Sequence, residues 1–379
     1  MDLVMTTILH LSTLHARNDT RIFIKEAQTL ASNLPHKVLL MVADGKGNLD
    51  EGKGGVSIHD LRNLGDGRLA RMLRGPWRAF FAIRLIKPDV VHFHDPELIP
   101  LGILLKVMGY KVVYDVHEDL PRQTLSKDYI PNFIRYPVML LMCMLEWGAA
   151  KSFDAIVPAT PKIAEHFPAN KTVVVQNFPI RTELNVPSTI PYEQRALSFA
   201  YVGGITTIRG AIEMIRALEY LSDITGVRLE LAGEFSPSRL EDALRVLPGW
   251  ATVNYHGQVS RTQVAQIMGG ARAGLVMLHP IANHLDSYPI KMFEYMSVGL
   301  PVIASDFPLW RKIIDGAGCG LLVDPLNPKA IAEAMRWILD HPAEAEAMGW
   351  RGRQAVERTY NWDVEAEKLS SLYKKLLNS

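Results

Sequence analysis

The chain has 379 residues, which is too long for one ordinary hydrophobic core and comfortable for two domains. It is 48% hydrophobic and 21% charged with a formal net charge of +1, which is typical of a soluble globular protein and lacks the positive field of a nucleic-acid-binding one. The two cysteines, Cys143 and Cys319, exclude a disulfide framework and a cysteine-based zinc site, and they fit a reducing, cytoplasmic compartment.

The first residues of the chain contain the acidic Asp2 and no basic cluster, so they predict a first strand and not a signal peptide. The longest apolar run, from Pro137 to Leu145, is far shorter than the ~20 residues needed to cross a bilayer. We therefore expect no membrane-spanning segment.

Short β-branched segments alternate with longer helical patterns in the first half of the chain. The predicted strands are Thr7–Leu11, Val38–Val42, Val90–Phe93, Lys111–Tyr114, Ala155–Val157 and Thr172–Val175. The predicted helices are Thr20–Asn33, Arg68–Ile86, Ile99–Met108, Phe133–Lys151 and Lys162–Phe167. Strands that are apolar on both faces and separated by helices favour a parallel sheet covered on both sides.

A proline-containing polar stretch, with Pro179, Pro187 and Pro191, interrupts the pattern and predicts a linker. The strands then resume at Ser198–Val202, Val227–Leu231, Thr252–Tyr255, Gly274–Leu278, Val302–Ser305 and Leu321–Val323. The intervening helices are predicted at Arg209–Leu221, Pro237–Val246, Thr262–Gly269, Ile290–Val298 and Lys329–Leu339.

The sequence therefore predicts an α/β protein with two Rossmann-like domains, each a doubly wound parallel sheet. The domains are expected at residues 1–178 and 198–361, with a linker over residues 179–197. Ligands of such sheets bind beyond the carboxyl ends of the strands, and two facing sheets form a deep cleft. Side chains directly after strands are thus the first candidates for chemistry.

Several catalytic motifs are missing or incomplete. No Gly-x-Gly-x-x-Gly follows the first strand, which disfavours a dinucleotide-dependent oxidoreductase. Gly47 and Gly52-Lys53-Gly54 approach a P-loop, but Gly54 replaces the required hydroxyl and Val56-Ser57-Ile58 predicts a strand instead of a helix. The sequence also lacks an Asp-x-Asp metal clamp and a His-Glu-x-x-His zinc motif.

Five segments carry a family signature. They are His15–Ile22, Val90–Glu97, Tyr114–Asp119, Tyr201–Gly204 with Arg209-Gly210, and Asp286–Asp306. In the last segment seven residues separate the acids Asp286 and Glu294, and Gly299-Leu300-Pro301-Val302-Ile303 follows. Together they resemble retaining glycosyltransferase family 4, in particular members that build bacterial surface polysaccharides. The resemblance implies the GT-B fold, in which two Rossmann-like domains face a central cleft and the last helix, residues 362–379, packs back on the first domain.

The resemblance implies that the second domain binds a nucleotide sugar. Its donor-binding residues would be Gly203, Gly204, Arg209, Glu234, Asp286, Tyr288, Lys291 and Glu294. Glu294 would accept hydrogen bonds from both ribose hydroxyls; the alternative is a solvated surface glutamate, which its apolar neighbours disfavour. Lys291 lies on the same helical face and would place its charge on the diphosphate, unless it points outward.

The turn at Gly203-Gly204 suits a phosphate, because glycines permit close approach to the backbone and a following helix N-terminus supplies N–H donors. Arg209 would add a guanidinium. The family usually has an arginine at the position of Gly204, so one expected cation is missing and Lys291 would carry more of the charge. Asp286 stands where the family more often has Glu and would lie near the sugar hydroxyls; helix capping is its alternative role.

In the first domain, His117 follows a strand, and the resemblance places it towards the donor sugar, although a lone histidine is more often structural. Asp95 and the neighbouring His94 are weaker candidates that could instead cap the following helix. Arg17, Asp19 and Arg21 follow the first strand and could face the acceptor or the phosphates, or pair with one another.

The resemblance implies a reaction without a protein nucleophile, in which a donor phosphate oxygen accepts the acceptor's proton during front-face attack. The catalytic candidates are His117, Asp286, Arg209 and Lys291. The protein would position the reactants and stabilise charge on the departing diphosphate. We expect no cofactor and no metal ion at this site.

Basic and apolar residues interleave at near-helical spacing in the segment from Arg62 to Lys87. The basic residues are Arg62, Arg68, Arg71, Arg74, Arg78, Arg84 and Lys87, and the apolar ones are Leu69, Met72, Leu73, Trp77, Phe80 and Phe81. This helix could lie on an anionic membrane, or pack on the sheet with a solvated basic face. Family context favours a cytoplasmic enzyme that associates peripherally with the inner face of the plasma membrane.

The sequence therefore predicts a metal-independent hexosyltransferase that uses a nucleotide sugar, with UDP favoured, and a polyprenyl-diphosphate-linked saccharide acceptor. Residues near Gly233–Phe235 and His256–Val259 would touch the base. The alternatives are a GDP-mannose-dependent mannosyltransferase, a nucleotide-sugar epimerase and a non-catalytic nucleotide-sugar-binding scaffold. Nucleic acid is not an expected partner.

Overall fold

The computed structural model describes residues 6–50, 53–65, 67–119, 131–184 and 190–378. The chain divides into two compact units. The first consists of the chain up to Asn177 together with the residues from Asp363 onward, and the second is Phe178–Trp362. Leu184 and Tyr192, from the predicted linker, are buried in the second unit, whereas Pro187 lies outside the described residues.

The first unit contains a six-stranded parallel sheet. Its strands are β1 (Thr7–Leu11), β2 (Lys37–Val42), β3 (Val56–Asp60), β4 (Val90–Phe93), β5 (Lys111–Val116) and β6 (Ala155–Pro158). They are ordered β3-β2-β1-β4-β5-β6, which is the doubly wound arrangement. The predicted strand at Thr172–Val175 is wrong: the segment runs beside β6, but Thr172 forms an isolated bridge with Ile156.

The near P-loop is followed by a strand. β3 begins at Val56, directly after Gly55, as the β-branched residues there predict. Gly52 lies outside the described residues. A helix N-terminus, which a P-loop needs to bind phosphate, is therefore missing after Gly54.

Helices cover the first sheet. They are α1 (Gln28–Asn33), α2 (Arg68–Ile86), α3 (Ile99–Val107), α4 (Asn132–Ser152), α5 (Pro161–Ala164) and the C-terminal helix (Trp362–Asn378). A π-helix, Thr20–Ala27, precedes α1, where the sequence predicted one continuous α-helix. Since a π-helix hydrogen-bonds residue i to i+5, it brings Arg21 and Glu26 to the same side, and both are buried.

The C-terminal helix packs on the first sheet through polar contacts. The Tyr373 hydroxyl lies 2.9 Å from Nδ1 of His92 on β4. Lys111, at the start of β5, donates from Nζ to the Leu376 carbonyl at 2.6 Å. These contacts place the last helix in the first unit, although Trp362 at its beginning belongs to the second.

The solvent-facing side of α2 combines a row of apolar residues with exposed basic ones, including Arg74 and Arg84. Leu73, Trp77, Phe81 and Leu85 recur every four residues and are exposed, whereas Ala79 and Ile83 face the core. Arg71 pairs with Glu97, and Arg74 and Arg78 donate to carbonyls of the preceding loop. The side chains of Arg68 and Leu69 lie outside the described part.

Helix α4 corrects the expectation that no segment could cross a bilayer. Its residues Phe133–Ser152 are long and apolar enough to do so by length and composition, with 17% of the most apolar window buried. The uninterrupted apolar run from Pro137 to Leu145 is shorter than the apolar part of this helix. The few charged residues on either side of that run leave the mean hydropathy of the whole helix high. Core helices of soluble proteins have the same length and composition.

The second unit is a second doubly wound parallel sheet. Its strands are β7 (Ser198–Val202), β8 (Arg228–Ala232), β9 (Val253–Gly257), β10 (Ala273–Val276), β11 (Val302–Ser305) and β12 (Gly320–Val323), ordered β12-β11-β10-β7-β8-β9. The helices are α6 (Ala211–Glu219), α7 (Leu240–Arg245), α8 (Arg261–Gly270), α9 (Ala282–Leu285), α10 (Ile290–Ser297), α11 (Pro308–Ala317), α12 (Pro328–Asp340) and α13 (Pro342–Arg358). The two predicted α/β sheets are thus confirmed.

Helices α9, α11 and α13 were not predicted from the sequence. Helix α13 has a weak apolar pattern because its buried face is made of small residues, including Ala345, Gly349 and Gly352. A Cβ at Gly349 would lie 2.1 Å from the carbonyl oxygen of Gly299, so this helix depends on close backbone packing instead of large side chains. Hydrophobic periodicity detects such a helix poorly.

Candidate active site

The turn after β7 is held by the loop after β8. Gly203 donates to the Ala232 carbonyl at 2.9 Å, and Ile205 donates to the Glu234 carbonyl at 2.8 Å. Gly233 has φ of 143°, and a Cβ there would lie 2.0 Å from the Gly203 carbonyl oxygen. Only glycine fits at this position, so the phosphate-type turn of the sequence has a rigid backbone frame.

Arg209 lies on the same turn. Its Nη1 donates to the Gly204 carbonyl at 3.3 Å. The predicted helix start at Arg209 is two residues early: Thr207–Arg209 form a 3-10 turn, Gly210 adopts φ of 73°, and α6 begins at Ala211. A Cβ at Gly210 would lie 2.3 Å from the Met277 carbonyl, so the left-handed residue and the close strand both require glycine.

Lys291, in the first turn of α10, has a shielded ammonium group without a hydrogen-bond partner among the described residues. Its Nζ lies 3.7 Å from the centre of the Tyr201 ring, and a Cβ at Gly203 would lie 3.2 Å from it. Burial lowers the pKa of Lys291 to about 7, with repulsion from Arg209 adding and Glu294 opposing. A buried ammonium ordinarily has a carboxylate or another hydrogen-bond acceptor, which Lys291 lacks among the described residues. The ammonium lies beside the Gly203 turn.

Glu294 lies one turn further along α10 and is 9% exposed, so it is buried and not a solvated surface residue. Arg261, the first residue of α8, donates from Nη2 to Glu294 Oε1 at 2.7 Å and from Nε to Glu183 Oε1 at 2.9 Å. Arg261 was not predicted from the sequence as a residue of this site. Its only local signal is the capping box of Ser260 and Gln263, which predicts a helix start and no partner for its guanidinium.

The other predicted donor residues, Asp286, Tyr288 and Glu234, lie on the loops and helices next to these residues. Asp286 follows α9 at its C-terminal end, and the N-cap position of α10 is occupied by Pro289. Tyr288 stacks on Phe293 with ring centres 6.3 Å apart. Glu234 is exposed in the loop after β8, where its backbone carbonyl contacts the glycine turn. The second unit thus brings together the glycine turn, Arg209 and Lys291, with Glu294 on the same helix as Lys291.

In the first unit, His117 belongs to a buried polar network at the end of β5. Asp115 Oδ2 lies 2.7 Å from His117 Nε2 and 2.9 Å from His94 Nδ1. Arg21 donates to both oxygens of Asp115, at 3.0 and 2.7 Å. Burial alone would raise the pKa of Asp115, but Arg21 and then His117 outweigh it and hold that pKa well below its usual range. An ionised Asp115 therefore orients His117.

Asp95 does not cap the helical turn that follows it. Instead its Oδ2 accepts hydrogen bonds from the Ser12 hydroxyl at 3.0 Å and from the backbone and hydroxyl of Thr13 at 2.5 and 3.2 Å. Asp95 is fully buried. It therefore fixes the loop after β1.

The three charged residues after β1 all have intramolecular partners, but they do not pair with one another's side chains. Arg17 forms a bidentate pair with Asp44, with both distances 2.6 Å. Asp19 caps the π-helix by accepting from the backbone N–H groups of Arg21 and Ile22 at 2.9 Å each. Arg21 is buried on Asp115. These contacts give all three a role in the loop's structure.

A row of histidines on one face of the first sheet was not singled out from the sequence as a group. β1 and β4 pair in register, with His10 opposite His92, and His94 follows two residues later on the same face. Burial lowers the pKa of His10 and His92 well below the usual range, so both are neutral at pH 7. Burial, and then Asp115, raises the pKa of Glu26 beside them. Polar residues at alternate strand positions were the available signal.

Two family models match the chain. "Glycosyltransferase Family 4" matches residues 23–178, and "Glycosyl transferases group 1" matches residues 191–355. The D-rhamnosyltransferase WbpZ of Pseudomonas aeruginosa is 25% identical over 277 residues, covering 69% of this chain and 67% of that protein. A D-inositol 3-phosphate glycosyltransferase of Kineococcus radiotolerans is 27% identical over 248 residues, covering 60% of this chain and 53% of that protein. The chain thus spans about half to two thirds of these relatives.

Solved structures with the same fold align over nearly the whole chain. Sucrose-phosphate synthase from Thermosynechococcus elongatus has a TM-score of 0.72 at 17% identity, covering 98% of this chain and 99% of that chain. Anabaena Alr3699/HepE in complex with UDP-glucose has a TM-score of 0.72 at 12% identity, covering 97% of this chain and 99% of that chain. At these identities the similarity establishes the fold.

Proposed function

Because the chain belongs to the glycosyltransferases of the family-4 type, which have the GT-B fold, we propose that it transfers a hexose-type sugar from a nucleotide-sugar donor to a lipid-linked saccharide. UDP is the favoured nucleotide, and transfer with retention at the anomeric carbon is the favoured stereochemistry. The acceptor class follows from the resemblance to enzymes of bacterial surface-polysaccharide synthesis.

The unpartnered ammonium of Lys291 carries the donor-site proposal. A shielded cation without a hydrogen-bond partner destabilises a fold unless an anion binds it in the working state. The glycine turn at Gly203 lies against this ammonium, and Arg209 contributes a second cation on the same turn. Two cations and a backbone open to close approach suit the diphosphate of a nucleotide sugar.

Glu294 is the proposed ribose ligand. Its carboxylate already accepts one charge-assisted hydrogen bond from Arg261, at 2.7 Å. A carboxylate oxygen has more than one acceptor position, so Glu294 can bind ribose hydroxyls while Arg261 holds its orientation. Arg261 is thus a positioning residue in this proposal, with Glu183 holding its other end.

The proposed chemistry uses charge and position. When the glycosidic C–O bond of the donor breaks, the departing nucleoside diphosphate gains one negative charge. Lys291 and Arg209 stabilise that charge in place of a metal ion, and a phosphate oxygen accepts the proton of the acceptor hydroxyl as it attacks the same face. His117, oriented by Asp115, and Asp286 are the proposed contacts to the sugar.

UDP is preferred over GDP because of one similar structure. The similar fold of Anabaena Alr3699/HepE was solved with UDP-glucose, which supports a UDP-sugar donor for this chain. GDP-mannose remains the runner-up. A thermal-shift panel of UDP-, GDP- and dTDP-sugars tests this: a stabilisation confined to GDP-mannose would replace UDP in the proposal.

Product analysis separates the enzyme classes. A transferase releases nucleoside diphosphate when donor and acceptor are supplied, whereas an epimerase converts the donor without acceptor, and a binding scaffold leaves it intact. We expect slow donor hydrolysis without acceptor and rapid release of diphosphate with a polyprenyl-diphosphate-linked saccharide. An epimerised donor, or an intact donor in both conditions, would refute the proposed reaction.

The exposed apolar face of α2 supports peripheral binding to the inner face of the plasma membrane, where a lipid-linked acceptor would be reached. Leu73, Trp77, Phe81 and Leu85 form this face, and the exposed Arg84 and Lys87 lie at its end. Aromatic side chains enter the membrane interface while basic ones contact anionic headgroups. We expect the protein to bind anionic liposomes less at high salt, and Trp77→Ser with Phe81→Ser to abolish binding. Equal binding to neutral liposomes would refute the electrostatic part.

A further inference from the structure

One face of the first sheet concentrates metal-ligating side chains outside the proposed donor site. His10, His92, His94 and Glu26 each offer one ligand atom, and these four atoms all lie within 4.8 Å of one another. We refer to these residues as the His₃Glu cluster. All four are buried, and none has a part in the donor chemistry proposed above.

The fold itself assembles the His₃Glu cluster. The parallel register of β1 and β4 sets His10 opposite His92, and His94 comes two residues later, at the carboxyl end of β4 and on the same face. Glu26 reaches them from the π-helix. Three segments far apart in the sequence thus direct nitrogen and oxygen atoms to one buried point, and π-helical turns occur frequently at functional sites.

Four polar atoms of the cluster lack hydrogen-bond partners. His10 Nε2, His92 Nε2 and both carboxylate oxygens of Glu26 are shielded from solvent without a hydrogen bond in the described part of the chain. Arg21 Nε lies 3.1 Å from Glu26 Oε1, but this guanidinium also forms the bidentate pair with Asp115. Buried polar atoms are almost always satisfied, so this concentration points to a ligand that binds lone pairs.

The outward-facing atoms of two of the histidines are fixed. His94 Nδ1 is 2.9 Å from Asp115 Oδ2, and the Tyr373 hydroxyl is 2.9 Å from His92 Nδ1. Nε2 of both rings is then available to the cluster; His94 Nε2 forms a hydrogen bond of 3.0 Å with His10 Nδ1, which an ion bound between them would replace. Metal-binding histidines are usually held in this way, with a carboxylate or another polar group on the second nitrogen.

We propose that the His₃Glu cluster binds one divalent transition-metal ion of the zinc class. Three imidazoles and one carboxylate suit Zn²⁺ and Co²⁺ better than Mg²⁺ or Ca²⁺, which prefer oxygen ligands. Four protein ligands form a closed tetrahedral site, which is typical of a structural ion. The ion would join β1, β4 and the π-helix, and through Tyr373 the C-terminal helix.

A neighbouring set, His94 with Asp115 and His117, also has its ligand atoms within 4.8 Å. There, however, the carboxylate already accepts hydrogen bonds from Arg21 and contacts both histidines. The oxygens of Asp115 therefore have several hydrogen-bond donors, whereas Glu26 has an ion-pair contact with Arg21 and a contact with Asp115, and neither of its oxygens has a hydrogen bond of normal geometry in the described chain. This difference favours the His₃Glu cluster as the metal site.

Titration of the chelator-dialysed full-length protein with Co²⁺ tests the proposal directly. We expect one equivalent of Co²⁺ to bind with the intense visible absorption of tetrahedral coordination, and Zn²⁺ to displace it. Wild-type protein that shows no tetrahedral absorption, or no stoichiometric uptake of Zn²⁺ at micromolar concentration, would overturn the proposal. Since this measurement uses the unmodified chain, it does not depend on whether a variant folds.

Variants then locate the ion. His92→Gln and Glu26→Gln should each abolish the tetrahedral absorption, and Tyr373→Phe should weaken Co²⁺ binding about tenfold because it removes a partner of a ligand. His341→Gln, in the second unit, is the matched control and should bind like wild type. Absorption that survives in both His92→Gln and Glu26→Gln would place the ion elsewhere and refute the assignment. Donor binding by the wild-type protein is measured in parallel by thermal shift. Loss of the metal signal alone would refute the metal site, whereas absence of donor binding alone would refute the donor site.

Discussion

Lys291 gives the sharpest test of the donor site. Its ammonium is shielded, unpartnered and 3.7 Å from the Tyr201 ring centre, and burial lowers its pKa to about 7. If the protonated form binds the diphosphate, donor binding must raise this pKa. Proton uptake then accompanies binding above pH 7, and affinity falls as pH rises through the pKa of the free protein.

The size of this effect follows from the titration. With the free pKa near 7 and the complex fully protonated, the donor Kd should rise about 25-fold between pH 6.5 and 8.5, approaching tenfold per unit of pH, or about 1.4 kcal/mol. The assay is isothermal titration calorimetry with a UDP-sugar in two buffers of different ionisation enthalpy. The diphosphate of a nucleotide sugar is doubly esterified and does not titrate in this range.

Lys291→Arg is the matched control. A guanidinium stays protonated throughout this pH range, so the variant should bind the donor with a nearly constant Kd, even if more weakly. A flat pH profile in wild type would refute the role of Lys291. An equal slope in Lys291→Arg would show that another group carries the pH dependence.

Four further predictions concern the same site. Lys291→Met removes a buried charge without a hydrogen-bond partner, so it should raise the free energy of unfolding of the unliganded protein by about 1–3 kcal/mol, seen as a higher Tm, and abolish donor binding. A lower Tm with intact donor binding would contradict this. Glu294→Ala should reduce kcat/KM by about 10²–10³-fold, and Arg261→Ala should raise KM for the donor more than it lowers kcat; near-wild-type rates in both would remove the ribose assignment. Brief EDTA treatment should leave turnover unchanged, because Lys291 and Arg209 supply the charge at the diphosphate; a strict need for added Mg²⁺ or Mn²⁺ would contradict that. Gly233→Ala should lower both Tm and donor affinity, because its Cβ would lie 2.0 Å from the Gly203 carbonyl, whereas Gly226→Ala has open space and serves as the control for a glycine with positive φ.

The sheets were predictable because their strands are buried on both faces. Val90–Phe93 and Val302–Ser305 are mostly apolar, with His92 and Ser305 as the exceptions, and their predicted bounds agree with the structure. Helices that bury small residues, such as Pro342–Arg358, escaped prediction because packing of Gly349 on Gly299 leaves no large apolar stripe. The π-helix also escaped, since the sequence of Thr20–Ala27 satisfies an α-helical pattern equally well.

The sequence singled out the residues of the candidate site but could not predict their electrostatic partners. Motif spacing singles out Lys291 and Glu294, yet whether either has a partner depends on residues far away in the chain. Arg261, held by Glu183, reaches Glu294 from a distant segment, whereas Lys291 Nζ lies over the Tyr201 ring without a hydrogen-bond acceptor in the described part of the chain. A spacing pattern along one helix contains no information about such tertiary partners.

The difference between these two charges on one helix has a functional consequence. Glu294 is paired with Arg261 before any ligand arrives, so its geometry is set in advance and the proposed ribose contact would cost little reorganisation. Lys291 is left unpaired, so its charge becomes favourable only when an anion binds. Gly204, where the family usually has an arginine, removes a permanently charged neighbour and makes donor affinity depend on a group whose pKa lies near 7. Gly204→Arg would restore a constant positive charge and should weaken the pH dependence of donor binding. Such a result would link this departure from the family pattern to the titration of Lys291.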